Sequence, residues 1–431
     1  MRKESWMKKK TSLRAIYFWN LLGNLAAAGS SVLYLMMVSR LTSADTADTF
    51  SLANGIAAIW VVIGLFQVRT FQGTDINERY SFTGYALARF LSILLMLVSL
   101  YPYLWISGFE LRKTLDFWAM TLFVLYRMCD AVSDLFQGLF QQHERLDIAG
   151  KSMTIRYTLS VLSLLVGLLL SHSLIFALGL LFLVNLAVIC LYDWPQSRAF
   201  AKISWDKKGI SYHFKEAMAI LAACFPLFMS GFLLAYIFNE PKQVIAVGLE
   251  QGWLAEGSQR DFSILFMPTF FMSLFILILR PLVTNLAIVW SKQDYLAFQQ
   301  TSRKLFLLLF LGGGLLTIPA YLIGIPILSL VFGVDLSGQE LALAVLVLAG
   351  VFYSVSVTIG DLMTIFREQK RLFVIFILIF LTSKTVTFPF IKNSGLLGAG
   401  LSFLLVMLTY MLGSFIIYTY SLKKKGRENV H

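Results

Sequence analysis

Apolar runs long enough to cross a bilayer recur twelve times along this chain, near residues 15–39, 47–68, 84–106, 115–139, 153–171, 173–192, 214–238, 261–283, 304–325, 341–365, 372–391 and 396–420. A spanning helix needs about 20 mainly apolar residues. In hydrocarbon every backbone N–H and C=O must find its partner inside the segment, so such runs become helices. Of the 431 residues, 58% are hydrophobic and 14% charged. A soluble fold of that composition would have to expose a largely apolar exterior. Twelve spans use more than half of the chain, and the rest suffices for connections and tails. The longest external loop, about 239–260, is too short for a catalytic domain.

The net charge of +12 has no basic domain in which to hold a nucleic acid. Its distribution reads instead as the bias of Lys and Arg toward cytoplasmic loops. With twelve crossings both termini share a side, and that side takes 28 of the 36 basic residues. The opposite side holds Arg40, Arg112, Lys113, Lys242, Arg260 and Lys392. The first span continues through Val38, past Asn20 and Asn24, so it reads as a retained helix and not a cleaved leader. Aromatic residues such as Trp105, Tyr192 and Trp194 fall at span ends, where interfacial belts form. Cys129, Cys190 and Cys224 lie in apolar runs at spacings that suit neither disulfides nor zinc, and read as small buried hydrophobes.

Charged residues inside the apolar runs separate transporters from enzymes. No His-Glu-x-x-His zinc motif and no phosphate-binding Gly-rich loop occurs, and all four histidines fall outside the spans. Catalytic residues, cofactors and metals are therefore not expected. Arg127, Asp130 and Asp134 recur at i, i+3 and i+7 in the fourth span, on one helical face. A charge at mid-span costs about 2.5–3.5 kcal/mol on insertion scales, so it should face a wet cavity or a partner. Two readings stand: an internal Arg–Asp pair that fixes packing, or an anion contact at Arg127 beside an H+ or Na+ coupling carboxylate at Asp130 or Asp134. Lys384 in span 11 is the second buried cation. Asn24 and Asn54 serve either interhelical hydrogen bonds or substrate contact.

Short motifs then point to a family. Val68-Arg69-Thr70-Phe71-Gln72-Gly73-Thr74-Asp75 and Tyr80-Ser81-Phe82 resemble the loop between spans 2 and 3 of bacterial polysaccharide flippases. The segment from Gln141 to Ser152 resembles their next cytoplasmic loop. Phe266-Met267-Pro268 and Leu279-Arg280-Pro281 resemble their span 8, and Gly395-Leu396-Leu397-Gly398-Ala399 resembles the start of their last span. These are flippases of the Wzx-like branch of the multidrug/oligosaccharidyl-lipid/polysaccharide (MOP) exporter superfamily.

The resemblance implies an all-α membrane protein of about twelve spans in two six-helix lobes arranged as a V. The lobes would be residues 1–192 and 214–431, the latter ending in a short basic tail, with a cytoplasmic linker at 193–213. It implies a bacterial plasma-membrane transporter, monomeric, with both termini cytoplasmic. Such a protein moves an undecaprenyl-(di)phosphate-linked oligosaccharide to the outer leaflet by alternating access. Enzymes of polysaccharide assembly would be its partners. Arg69 and Arg280, within matched motifs, would capture the lipid phosphate at the inner ends of spans 2 and 8. Arg40 would hold or release it on the outer side. A cation-coupled multidrug exporter of the same superfamily is the alternative, and a membrane glycosyltransferase or polymerase the more distant one.

Overall fold

The computed structural model describes residues 12–75, 78–107, 114–201, 203, 209–366 and 368–428, without the side chains of 114, 270–281, 284, 369 and 425–428. Among the described residues the regular structure is helical, with no strand. The helices are α1 (Leu13–Leu41), α2 (Ala44–Leu65), α3 (Val68–Gln72), α4 (Phe82–Ile106), α5 (Thr114–Gln142), α6 (Leu146–Ser171), α7 (Leu174–Val188) and α8 (Trp194–Ser197). They continue as α9 (Gly209–Glu250), α10 (Ser258–Ser291), α11 (Tyr295–Pro319), α12 (Ile325–Phe332), α13 (Glu340–Ile365) and α14 (Phe373–Glu428).

Nine stretches are long and apolar enough to cross a membrane among the described residues. α5 and α10, of 29 and 34 residues, are as long but carry charges along their length. α14 is two spans in one: at Gly395 the backbone leaves helical geometry (φ 56, ψ −132). The two halves then lie antiparallel, because Gly413 packs on Ile375 and Gly398 on Phe390. A Cβ at Gly398 would stand 1.9 Å from the Phe390 carbonyl oxygen, so glycine is what lets the hairpin close. The all-helical multi-pass architecture expected from the apolar runs is therefore present.

Several helices start where a short polar side chain can take an orphan N–H. Ser12, Ser43, Ser81 and Ser173 accept from the N–H three residues on, as does Asp294. Large apolar side chains such as Phe90, Leu94 and Val98 on α4 point outward, as a lipid-facing wall requires.

The chain divides into two compact units, Met1–Ala235 and Tyr236–His431, so the division falls inside α9. In the first unit, small residues bring helix backbones together. A Cβ at Gly150 of α6 would come within 2.3 Å of the Trp19 carbonyl of α1, and one at Gly167 within 2.7 Å of Ala177 of α7. In the second unit Leu286, Phe298, Leu309, Ile359 and Tyr418 belong to one buried cluster. Cys129 and Cys224 are buried as expected. Cys190, in the π turn Ile189–Asp193, is exposed instead.

Candidate functional site

The polar core of the first unit is built on α5. Arg127, Asp130, Ser133, Asp134, Gln137 and Gln141 follow one another at helical spacing, and four neighbouring helices, α2, α3, α4 and α6, bring partners to them. The reason begins at the end of α2. Phe66 and Gln67 both take left-handed backbone angles (φ 43 and 57), which break the helix before α3. The carbonyls of Gly64 and Leu65 then need donors from elsewhere. Arg89 of α4 donates to both, at 2.7 and 2.6 Å, and its other nitrogen pairs with Asp134 at 2.6 Å. Ser92 adds a hydroxyl to the Gly64 carbonyl at 2.7 Å.

Asp134 has a second, looser cation. Arg69 on α3 lies 3.4 Å from its other oxygen and donates to the Gln137 amide oxygen at 2.5 Å and to that of Gln141 at 3.3 Å. One turn earlier Asp130 bridges two more guanidiniums, Arg127 at 3.0 Å and Arg156 of α6 at 2.7 Å. Tyr157 donates to the oxygen that Arg156 holds, at 3.1 Å. Arg127 also donates to the Asn54 amide oxygen of α2 at 3.4 Å. A third carboxylate, Asp193, is fully buried and held by hydroxyls: Ser133 donates at 2.7 Å and Ser152 at 2.5 Å. Pro195 explains its position. Proline has no N–H for the carbonyl four residues earlier. The ladder slips to a π turn, in which Trp194 N–H reaches the Ile189 carbonyl.

Charge and exposure sort these groups. Arg89 and Arg156 are 2% and 1% exposed, and their charge is committed to the core. Arg69 and Arg127 keep 28% and 18% of their side chains open, so they have spare donors for an incoming anion. Asp130 and Asp134 each sit between two guanidiniums.

In the second unit Lys384 is not the buried cation expected from its place in span 11: its side chain is 42% exposed and pairs with Glu240 at 3.1 Å. It also donates to the Tyr236 hydroxyl, and its ammonium lies 4.4 Å from that ring's centre. Lys242 is buried on α9, with no ion pair among the described residues.

The site residues expected from the sequence thus fall apart into groups. Arg69, Arg127, Asn54, Asp130 and Asp134 come together in the first unit. Asn24 is exposed on α1 and turns onto its own helix, donating to the Asn20 carbonyl at 2.7 Å. Arg40 is exposed at the last turn of α1. Lys384 belongs to the second unit, and the side chain of Arg280 lies outside the described residues. Arg89, Arg156, Asp193 and Lys242 are what sequence reasoning missed. Arg89 and Arg156 lie near the starts of the spans read at 84–106 and 153–171 and count there only toward the bias of basic residues. A signal for Arg156 was present: Ser152, Arg156, Ser160 and Ser163 make a polar stripe at near-helical spacing on α6.

No family model matches the sequence, and no curated protein matches it. Solved structures do. A MATE family multidrug resistance transporter of the MOP superfamily, in its inward-facing conformation, superposes with a TM-score of 0.69 at 13% identity, over 94% of this chain and 96% of that one. Its outward-facing counterpart gives 0.59 at 12% identity, over 97% of both chains. The Vibrio cholerae MATE transporter VcmN in its bent form gives 0.56 at 13%, over 98% of this chain and 99% of that one. At these identities the likeness is one of fold: along nearly its whole length the chain has the helical fold of MATE transporters of the MOP superfamily.

Proposed function

We propose that this protein is a flippase that carries an anionic, polyprenyl-(di)phosphate-linked oligosaccharide from the inner to the outer leaflet of a bacterial plasma membrane by alternating access. One observation carries the reading. The ionic core of the first unit holds four guanidiniums, Arg69, Arg89, Arg127 and Arg156, against three carboxylates, Asp130 and Asp134 that pair with them and Asp193 that hydroxyls hold. An exporter of organic cations needs the opposite balance. Guanidinium groups match phosphate oxygens in a bidentate fork, and Arg69 and Arg127 are the two with donors to spare. Arg280, in the matched motif of span 8, and Lys384 would supply positive charge from the second unit, and Arg40 would receive the phosphate at the outer end of α1. Asn54 would sit beside Arg127 as a polar contact for the sugar, with Asn24 as a more distant one. Both termini are assigned to the cytoplasm on the bias of basic residues. We take the transporter to be monomeric and to receive its substrate from polysaccharide-assembly enzymes.

Ion coupling fits the same geometry. A phosphate that draws Arg69 away leaves Asp134 with Arg89 alone and opens it to H+ or Na+. Asp130, between Arg127 and Arg156, would respond in the same way when Arg127 binds substrate. The second reading is a cation-coupled multidrug exporter, favoured by the fold's likeness to multidrug MATE transporters.

Proteoliposomes carrying a fluorescent polyprenyl-diphosphate oligosaccharide in one assay and a cationic dye in another separate the two. The flippase reading expects lipid transfer that falls at least ten-fold in Arg69→Gln, with no dye efflux. Dye efflux without lipid transfer would reverse the assignment.

A further inference from the structure

The second unit has a cavity of about 530 Å³ between the first turns of α11 and the last turns of α14, remote in sequence from the ionic core. That volume lies in the range of small-molecule sites. Its lining is two-faced. Gln299, Arg303 and Lys423 stand at one end, and the rings of Phe306, Phe415 and Tyr418 form the floor. Phe306 meets Phe415 and Tyr418 edge to face and those two are tilted on each other, with ring centres 5.8–6.1 Å apart. Neither Arg303 nor Lys423 has an ion pair among the described residues, although both are positioned over a pocket.

The surface below the charged end is apolar. Leu307 and Leu311 on α11, and Leu412 and Ile416 on α14, are exposed. Gly314 lies three turns from Arg303 on nearly the same helical face. A Cβ added there meets nothing within 4 Å, so the groove stays open along the helix. The cavity therefore joins two cations, an aromatic floor and a lipid-facing track in that order along the helix axes. A free phosphate would use the cations and leave the track bare. A lipid with a phosphate head uses all three.

We propose that this cavity binds an anionic phospholipid. Its phosphate lies between Arg303 and Lys423, its glycerol moiety against Gln299 and Thr419, and its acyl chains along the Leu311–Ile416 face. Basic pockets between helices at the cytoplasmic side are where such headgroups settle. The site stands whichever substrate the transporter carries, because it needs no group of the ionic core.

Native mass spectrometry of the full chain in detergent tests it, with phosphatidylglycerol, phosphatidylcholine, undecaprenyl phosphate and inorganic phosphate added separately. Phosphatidylglycerol should bind in preference to phosphatidylcholine. Arg303→Gln with Lys423→Gln should weaken it about thirty-fold, since each basic residue near a membrane surface contributes roughly 1 kcal/mol. Thr419→Trp keeps both cations but fills the cavity, and should also abolish binding; an unchanged melting temperature confirms that each variant is folded. Equal binding of phosphatidylcholine, retention by both variants, or tighter binding of undecaprenyl phosphate or inorganic phosphate would each overturn the proposal.

Discussion

Replacing Asp130 by Asn removes one charge and leaves the shape of the first unit intact. Asp130 lies 3.0 Å from Arg127 and 2.7 Å from Arg156, and its side chain is 10% exposed. The amide oxygen of Asn can keep the hydrogen bond from Tyr157, so the loss is the anion itself. What remains is two buried guanidiniums with no counter-ion between them. Removing one member of a buried ion pair costs about 3–5 kcal/mol, because the partner stays desolvated and unpaired. A unit of this size shifts its midpoint by about 2–4 °C per kcal/mol, so Asp130→Asn should melt roughly 6–20 °C lower. Tryptophan fluorescence follows the transition, with Trp60 packed on Tyr103 and Trp194 on Phe136 as reporters within the same unit. Adding Arg156→Gln should recover part of the loss, since the surplus cation goes with it. The coupling between the two sites should exceed about 1 kcal/mol, as for other directly contacting residues. A single variant that melts within about 2 °C of the parent, or a double variant whose loss is the sum of the singles, would refute the counter-ion role. That result would leave Asp130 as a group whose neutral form the fold tolerates, which is what a proton carrier requires.

Two further substitutions probe different parts of the fold. Arg89→Gln should cost about 3–5 kcal/mol in the same melt, because it leaves Asp134 with the looser Arg69 alone, the Gly64 carbonyl with Ser92 alone, and takes the guanidinium from the Leu65 carbonyl. Arg69→Gln, at a half-open position, should cost less than half as much while transport falls; equal destabilisation by the two would deny that they differ in role. Gly398→Ala should block the α14 hairpin, because its Cβ would overlap the Phe390 carbonyl, and the yield of monodisperse protein in size-exclusion chromatography should collapse. A well-behaved Gly398→Ala protein would mean that the hairpin closes by another route.

The spans were legible in the sequence because hydropathy over about 20 residues is a local property. The break between spans 11 and 12 was legible for a similar reason, since Gly395 sits between two apolar runs. Arg127, Asp130 and Asp134 could be picked out because they interrupt the middle of a run at helical spacing. Arg89 and Arg156 could not. Both lie within two or three turns of a helix start, at Phe82 and Leu146, where a basic residue looks the same whether it meets headgroups or a carboxylate on another helix. Asp193 sits between Tyr192 and Trp194 and so reads as part of an interfacial belt, yet Ser133 and Ser152 enclose it. Lys242 reads as an external loop charge because the polar run Asn239-Glu240-Pro241-Lys242-Gln243 looks like a turn, whereas α9 passes through it unbroken. In each case the deciding fact is the depth of a partner on a second helix, and depth is fixed by packing. The backbone break at Phe66–Gln67 makes the same point from the other side. It frees two carbonyls, and a guanidinium at position 89 reaches both while still holding Asp134, with the Ser92 hydroxyl adding a second donor to the Gly64 carbonyl. Arg89 is thereby bound to the fold before any substrate arrives, which is why the transport role is assigned to its exposed neighbour Arg69.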